Sequence, residues 1–125
     1  MNKYRGEVSI DLGGREYILR PTFEVLVEIE ERLGIGLLAI ARKFMNREYG
    51  IRDVSIIIAA GIKGGGQKIP ENLGEVLATT GVLPFHEKLE KFIAGSLSGE
   101  SEQGNAGAST GKINQFPGDA IKKSG

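Results

Sequence analysis

The stretch Glu7-Val-Ser-Ile-Asp-Leu-Gly-Gly-Arg-Glu-Tyr-Ile-Leu-Arg-Pro-Thr-Phe23 decides the fold. Residues 7–12 alternate polar and apolar, Gly13-Gly14 supplies the positive φ angles of a two-residue turn, and Arg15 to Arg20 returns with Tyr17 and Leu19 apolar. The pattern predicts a β-hairpin. With the two glycines at the centre of the turn, Val8 faces Leu19 and Ile10 faces Tyr17 on an apolar face, while Glu7 faces Arg20 on the other. The same register sets Asp11 against Glu16, a like-charge pair that works against it.

Downstream the period changes from two to that of a helix. Pro21 ends the strand, and Thr22 is placed to cap a helix over Phe23–Leu33, with Glu24 in its first turn. Phe23, Leu26, Ile29 and Leu33 form its expected core stripe. Gly34 is a natural stop, and Leu37–Met45 reads as a second helix with apolar Leu37, Leu38, Ile40, Ala41 and Phe44; alternatively Gly34-Ile35-Gly36 is a bend within one longer helix. A third helix is expected over Val54–Lys63, capped by Asp53 and apolar nearly all round at Ile56-Ile57-Ile58, with Gly64-Gly65-Gly66 ending it. Pro70 stands near the start of a fourth carrying Leu73, Val76 and Leu77, which Gly81 ends. Pro84 opens a fifth with Phe85, Leu89, Phe92, Ile93 and Leu97 at helical spacing.

The expected architecture is α+β: an N-terminal β-hairpin followed by a small bundle of about five helices. Residues 1–98 make the folded domain. Residues 99–125 are rich in Gly, Ser, Ala and Asn, with only Ile113, Phe116 and Ile121 as large apolar residues, and are expected to be a disordered tail. A chain of 125 residues, 40% hydrophobic, suits one modest core.

Composition narrows the function classes. Sixteen Lys and Arg against sixteen Asp and Glu give zero formal net charge, so neither nucleic acid nor an anionic membrane is the expected partner. With no cysteine and one histidine, disulfides, thiol catalysis and the familiar zinc sites drop out. The apolar runs are far shorter than the roughly 20 residues that span a bilayer, and the N-terminus lacks a signal-peptide core, so a cytoplasmic protein is expected.

The search for chemistry yields near misses. Gly61-Ile-Lys-Gly-Gly-Gly66-Gln67-Lys68 resembles a phosphate loop but carries Gln67 at the place of the lysine, and Gly107 to Lys112 is one residue too short. Glu24, Glu28, Glu30 and Glu31 read as a solvated helix face, except that Glu30 projects beside the apolar stripe and must reach the surface, a cation or a partner. His86 has no triad partner and reads as a surface histidine. No catalytic residue, metal ligand or cofactor is assigned, and no enzyme is expected. The stripe Phe85, Leu89, Phe92, Ile93 and Leu97 is core by default, yet it is also the best candidate for binding a partner. On the second reading, Leu89→Asp with Phe92→Asp abolishes binding in a folded monomer.

Arg5 through Glu24, Ile29-Glu30 and Leu33-Gly34-Ile-Gly-Leu-Leu38 together resemble the gene-transfer-agent and prophage tail protein family, described as tail tube or tail assembly chaperone proteins. Ala59-Ala60-Gly61-Ile62 and Val76-Leu77-Ala-Thr-Thr-Gly81 are similar to its middle helices, so the likeness covers roughly residues 5–98. The resemblance implies a role in tail morphogenesis inside the host cell. It further implies as partners the tape-measure protein, whose apolar helices such chaperones shield, and tail tube subunits; weak self-association is a further expectation. Because a tube subunit needs extensive sheet and one hairpin is expected here, the chaperone is favoured over a structural component retained in the particle.

Overall fold

A computed structural model describes residues 4–98; the expected disordered tail, 99–125, lies outside the described residues. Two strands, β1 (Val8–Leu12) and β2 (Arg15–Leu19), pair antiparallel in the expected register, Val8 with Leu19 and Ile10 with Tyr17. Gly13 and Gly14 both take positive φ, as the tight turn requires. The like-charge pair Asp11 and Glu16 stands in register, and the Asp11 carboxylate is drawn to the turn by accepting the Gly14 N–H at 2.9 Å. On the outer face, Arg20 Nε donates to Glu7 at 3.0 Å.

Five helices follow: α1 (Phe23–Leu33), α2 (Leu37–Met45), α3 (Ile51–Gly64), α4 (Leu73–Thr80) and α5 (His86–Ser98), the last entered through a 3-10 turn at Leu83–Phe85. Thr22 caps α1 through its hydroxyl, which accepts the Val25 N–H at 3.2 Å. Two helix starts differ from expectation. Helix α3 begins at Ile51 rather than Val54, because Asp53 acts from within its first turn, accepting the Gly50 N–H at 2.8 Å and the Lys43 ammonium at 3.1 Å. Helix α5 begins after Pro84, which lies in the 3-10 turn.

The apolar face of the hairpin lies on the helices. Val8, Ile10, Leu12, Tyr17 and Leu19 join Ile57, Ile58, Ile62, Leu77, Leu89, Phe92 and Ile93 in one core. Helix α3 is central, packing on α1, α4 and β2, and its apolar circumference is used as expected. Its glycines do more than end it. A Cβ on Gly61 would lie 2.9 Å from Leu19 Cβ, and one on Gly64 2.6 Å from the Arg20 carbonyl, so α3 reaches β2 only because these positions lack side chains. Gly61 to Gly64 are helical, which also disposes of the phosphate-loop reading.

The core stripe of α1 needs correction. Val25 and Ile29 are buried, Leu26 and Leu33 are half-buried, and Phe23 is 76% exposed. Phe23 lies about 120° of helical rotation from Ile29, and α3 meets the Val25/Ile29 side.

Each outer edge of the hairpin makes hydrogen bonds to the rest of the fold. On β2, the Ile18 N–H donates to Gln67 Oε1 at 2.8 Å, and the Arg20 N–H to the Gly61 carbonyl at 3.1 Å. Beside β1 runs α5, whose Lys88 Nζ donates to the Ser9 carbonyl at 2.7 Å. This protects the strands from edge-to-edge pairing.

Candidate interaction surface

The sequence-predicted binding stripe lies inside the protein. Phe85, Leu89, Phe92 and Ile93 are each at most 4% exposed, and Leu97 is half-buried against the same core. With α5 packed on β1 and α2, that face is spent on the chain's own hairpin and cannot bind a partner without unfolding. The expectation that Leu89→Asp with Phe92→Asp leaves a folded monomer is corrected on the same ground, since two carboxylates would enter a dry core.

What α5 leaves open is the seam it makes with α2. Ala41, Phe44 and Met45 of α2 and Glu87, Glu90, Lys91 and Ala94 of α5 line an open groove of about 310 Å³. Phe44 forms a buried floor, Ala41 and Ala94 are small enough to leave the groove unfilled, and Met45 stands 67% exposed at its side. Leu38, one heptad before Met45 on α2, is 70% exposed. Carboxylates of Glu87 and Glu90 and the Lys91 ammonium make the polar border. A groove with an apolar floor, exposed aliphatic side chains and a charged rim can accept an amphipathic segment.

Glycine in place of a side-chain cap leaves the start of α2 dependent on α1. Gly36 is its N-cap, and Glu30 Oε2 accepts the Leu37 N–H at 2.9 Å. The projecting Glu30 thus meets a helix N-terminus, where a carboxylate is favoured. Glu28 pairs with Arg32 at 3.0 Å and Lys63 at 3.2 Å. The acidic helix is therefore tied to its neighbours at two of its four carboxylates.

Below the groove floor lies an aromatic stack. Phe44 and Tyr49 stack at 4.2 Å between centroids with an interplanar angle of 11°, and Tyr49 and His86 at 5.6 Å. The Tyr49 hydroxyl is hydrogen-bonded to His86 Nδ1 at 2.9 Å, and His86 Nε2 lies 3.5 Å from Glu90 Oε1. Contrary to expectation, His86 is buried, because it stands one turn before Leu89 and Glu90 on the helix that fills the core. Burial raises the Tyr49 phenol above its ordinary value of 10.0; Arg47 opposes this and Glu90 adds to it.

A second hollow, about 460 Å³, opens between β1 and the 3-10 turn, bordered by Asp11, Glu16, Pro84 and Lys88. Among the described residues no group of three or more His, Asp or Glu is placed to hold a metal, and no helix is long and apolar enough to cross a membrane.

The groove was half legible in the sequence. Helix α2 carries apolar residues at Leu37, Leu38, Ile40, Ala41, Phe44 and Met45, a width that one buried face cannot use. Ile40 and Phe44 take the core. The surplus signals a second contact surface, but only the packing of α5 shows where it lies.

No curated protein and no solved structure matches the chain. Residues 5–91, from the segment before the hairpin to the middle of α5, match the family described as phage tail tube protein, GTA-gp10. That span takes in nearly all of the described body and more than half of the chain, so the protein belongs to the GTA-gp10 phage tail tube protein family.

Proposed function

We propose that this tail protein is an assembly chaperone, holding apolar helical stretches of the tape-measure protein in the α2/α5 groove while the tail is built in the host cytoplasm, and absent from the finished particle. The observation that carries this reading is the groove itself, with Met45 exposed beside its apolar floor and Leu38 exposed one heptad earlier on α2. A groove this small gives a weak single contact, and weak contacts repeated along a long client give coating that growing tube subunits can displace. No covalent step is involved. The β2 edge argues in the same direction, because a tube subunit that joins its neighbours by strand addition there needs the Ile18 and Arg20 N–H groups free, and both are already bonded within the chain.

The test uses the full chain and peptides from the tape-measure's apolar helices. Leu38→Glu with Met45→Glu changes exposed side chains only, so the fold is retained. Binding, followed by calorimetry, is expected to fall at least about tenfold, the loss of roughly 1.4 kcal/mol. Undiminished binding by the folded double variant overturns the assignment of the groove.

A second reading is favoured by the family's own description as a tail tube protein. On it, the chain is a structural component of the tail. Mass spectrometry of purified particles separates the two, since a structural component is present at tube stoichiometry and a chaperone is not.

A further inference from the structure

We propose that the outer edge of β1 takes up an extended, lysine- or arginine-bearing segment of another polypeptide, which joins the hairpin as a third strand in the hollow beside the 3-10 turn. This site shares no lining residue with the α2/α5 groove and stands whether or not the groove holds a client.

The hairpin's own hydrogen bonding decides which backbone groups are open. On β2 the Ile18 and Arg20 N–H groups point away from β1, to Gln67 and Gly61, so Arg15, Tyr17 and Leu19 are the residues bonded across the ladder. Their partners are Leu12, Ile10 and Val8, which turns the backbone groups of Ser9 and Asp11 outward. Lys88 takes the Ser9 carbonyl. Among the described residues, the Ser9 N–H and both the N–H and the carbonyl of Asp11 have no partner. Protection of β1 thus rests on one flexible side chain, and a carbonyl has two lone pairs, so Lys88 need not leave when a strand is added.

There is room for that strand. At Gly6 and Gly95, β1's entry and α5 touch backbone to backbone, whereas at Ser9 a whole lysine side chain reaches across, so the two diverge toward the hairpin turn. The hollow of about 460 Å³ lies in this opening, with Ser9 and Asp11 on the strand side and Pro84 and Phe85 on the other. Side chains of an added strand alternate: those beside Ser9 and Asp11 lie on the hairpin's outer face, and those between them meet the apolar side where Ile10 and Phe85 lie.

Charge selects the occupant. Asp11 and Glu16 oppose each other at a non-hydrogen-bonded position, where facing residues come closest, about 4.5 Å between Cα atoms. Both are exposed, and among the described residues neither is in an ion pair. A cation on the residue added beside Asp11 relieves a repulsion that the hairpin alone leaves standing. The strands of a second copy cannot supply it. Its β1 brings another Asp11 and no cation, and its β2 edge is bonded within its own chain.

The probe is a capped Lys-Val-Lys-Val-Lys peptide added to the full chain, followed by amide hydrogen exchange and chemical shifts. Without peptide, the Ser9 and Asp11 amides are expected to exchange as in an unstructured chain while the Ile10 amide is protected. With peptide at ten times its Kd, exchange at Ser9 and Asp11 should slow by roughly tenfold. A Glu-Val-Glu-Val-Glu peptide, and the lysine peptide methylated on its backbone nitrogens, should each bind at least about tenfold more weakly. Asp11→Asn with Glu16→Gln keeps an acceptor for the Gly14 N–H and removes the repulsion, so it folds, and it should lose the preference for lysine over glutamate. Protection of Ser9 and Asp11 in the absence of peptide, equal binding by the methylated or glutamate peptide, or unmoved Ser9 and Asp11 signals at millimolar lysine peptide overturns the proposal. Leu38→Glu with Met45→Glu should bind this peptide as the parent does, so failure of the groove reading leaves the result at β1 unchanged.

Discussion

Gly6 and Gly95 meet backbone to backbone where α5 crosses the entry to β1. A Cβ on Gly95 would lie 2.6 Å from Gly6 Cα, and a Cβ on Gly6 would lie 2.5 Å from the Phe92 carbonyl oxygen. With Gly61 and Gly64 on the β2 side, this clamps the hairpin between two helices that approach it through missing side chains.

Gly95→Ala is therefore expected to destabilise, although alanine is the better helix former. The clash is with backbone, and overpacking of this kind costs about 1–3 kcal/mol, against a propensity gain of about 1 kcal/mol. Gly6→Ala is expected to be worse, because its φ of +87° adds a steric penalty. Gly74→Ala is the control: it lies in α4 with open space at its Cβ position and should stabilise by about 0.5–1 kcal/mol. Urea unfolding of the three variants orders them Gly74→Ala above the parent, then Gly95→Ala, then Gly6→Ala.

Gln67 closes the outer edge of β2. Replacing it by alanine leaves the partly buried Ile18 N–H without its acceptor, at a cost of about 1–3 kcal/mol. The opened edge should also raise the tendency to self-associate. Urea unfolding reads the first effect, and light scattering as a function of concentration reads the second.

Leu89→Asp with Phe92→Asp should unfold the protein. Both side chains are fully buried, and truncations at such positions alone cost about 2–5 kcal/mol each before any charge is added. Loss of the far-UV helical signal checks this. A folded, binding-deficient double variant would contradict the packing of α5 described above.

The alkaline limb of stability should report Tyr49. Its phenol is held above 10.0 mainly by burial, so as pH rises through 10.0 the unfolded chain loses this proton before the folded one. The folded state then binds more protons, and stability falls with pH from that point until the folded phenol also ionises. Tyr49→Phe should lose about 1 kcal/mol at neutral pH with the hydrogen bond to His86, and show a shallower decline above about pH 10. Parallel urea titrations across that range compare the slopes.

The boundaries of the hairpin and of α1 and α2 could be read from the chain because local rules act there without competition. Gly13-Gly14 accepts the two positive φ angles of a tight turn without strain, Thr22 reaches a neighbouring N–H, and alternation assigns the apolar face of each strand. Membership of the tail protein family was legible for the same reason, since its features are contiguous runs of residues. Burial around a helix axis was not local. Whether Phe23 or Val25 faces inward depends on where α3 lies, and α3 is placed by Gly61 and Gly64 against β2, some 40 residues away in sequence.

The groove divides along the same line. The excess apolar width of α2 and the amphipathic face of α5 are properties of each helix, fixed by 3.6-residue periodicity before the chain folds. That α5 turns its strongest stripe inward, buries His86 against Tyr49, and leaves Ala94 beside Met45 is decided by packing between distant segments. A single helix cannot specify this, because burial is settled by whichever neighbour arrives to exclude water from which side.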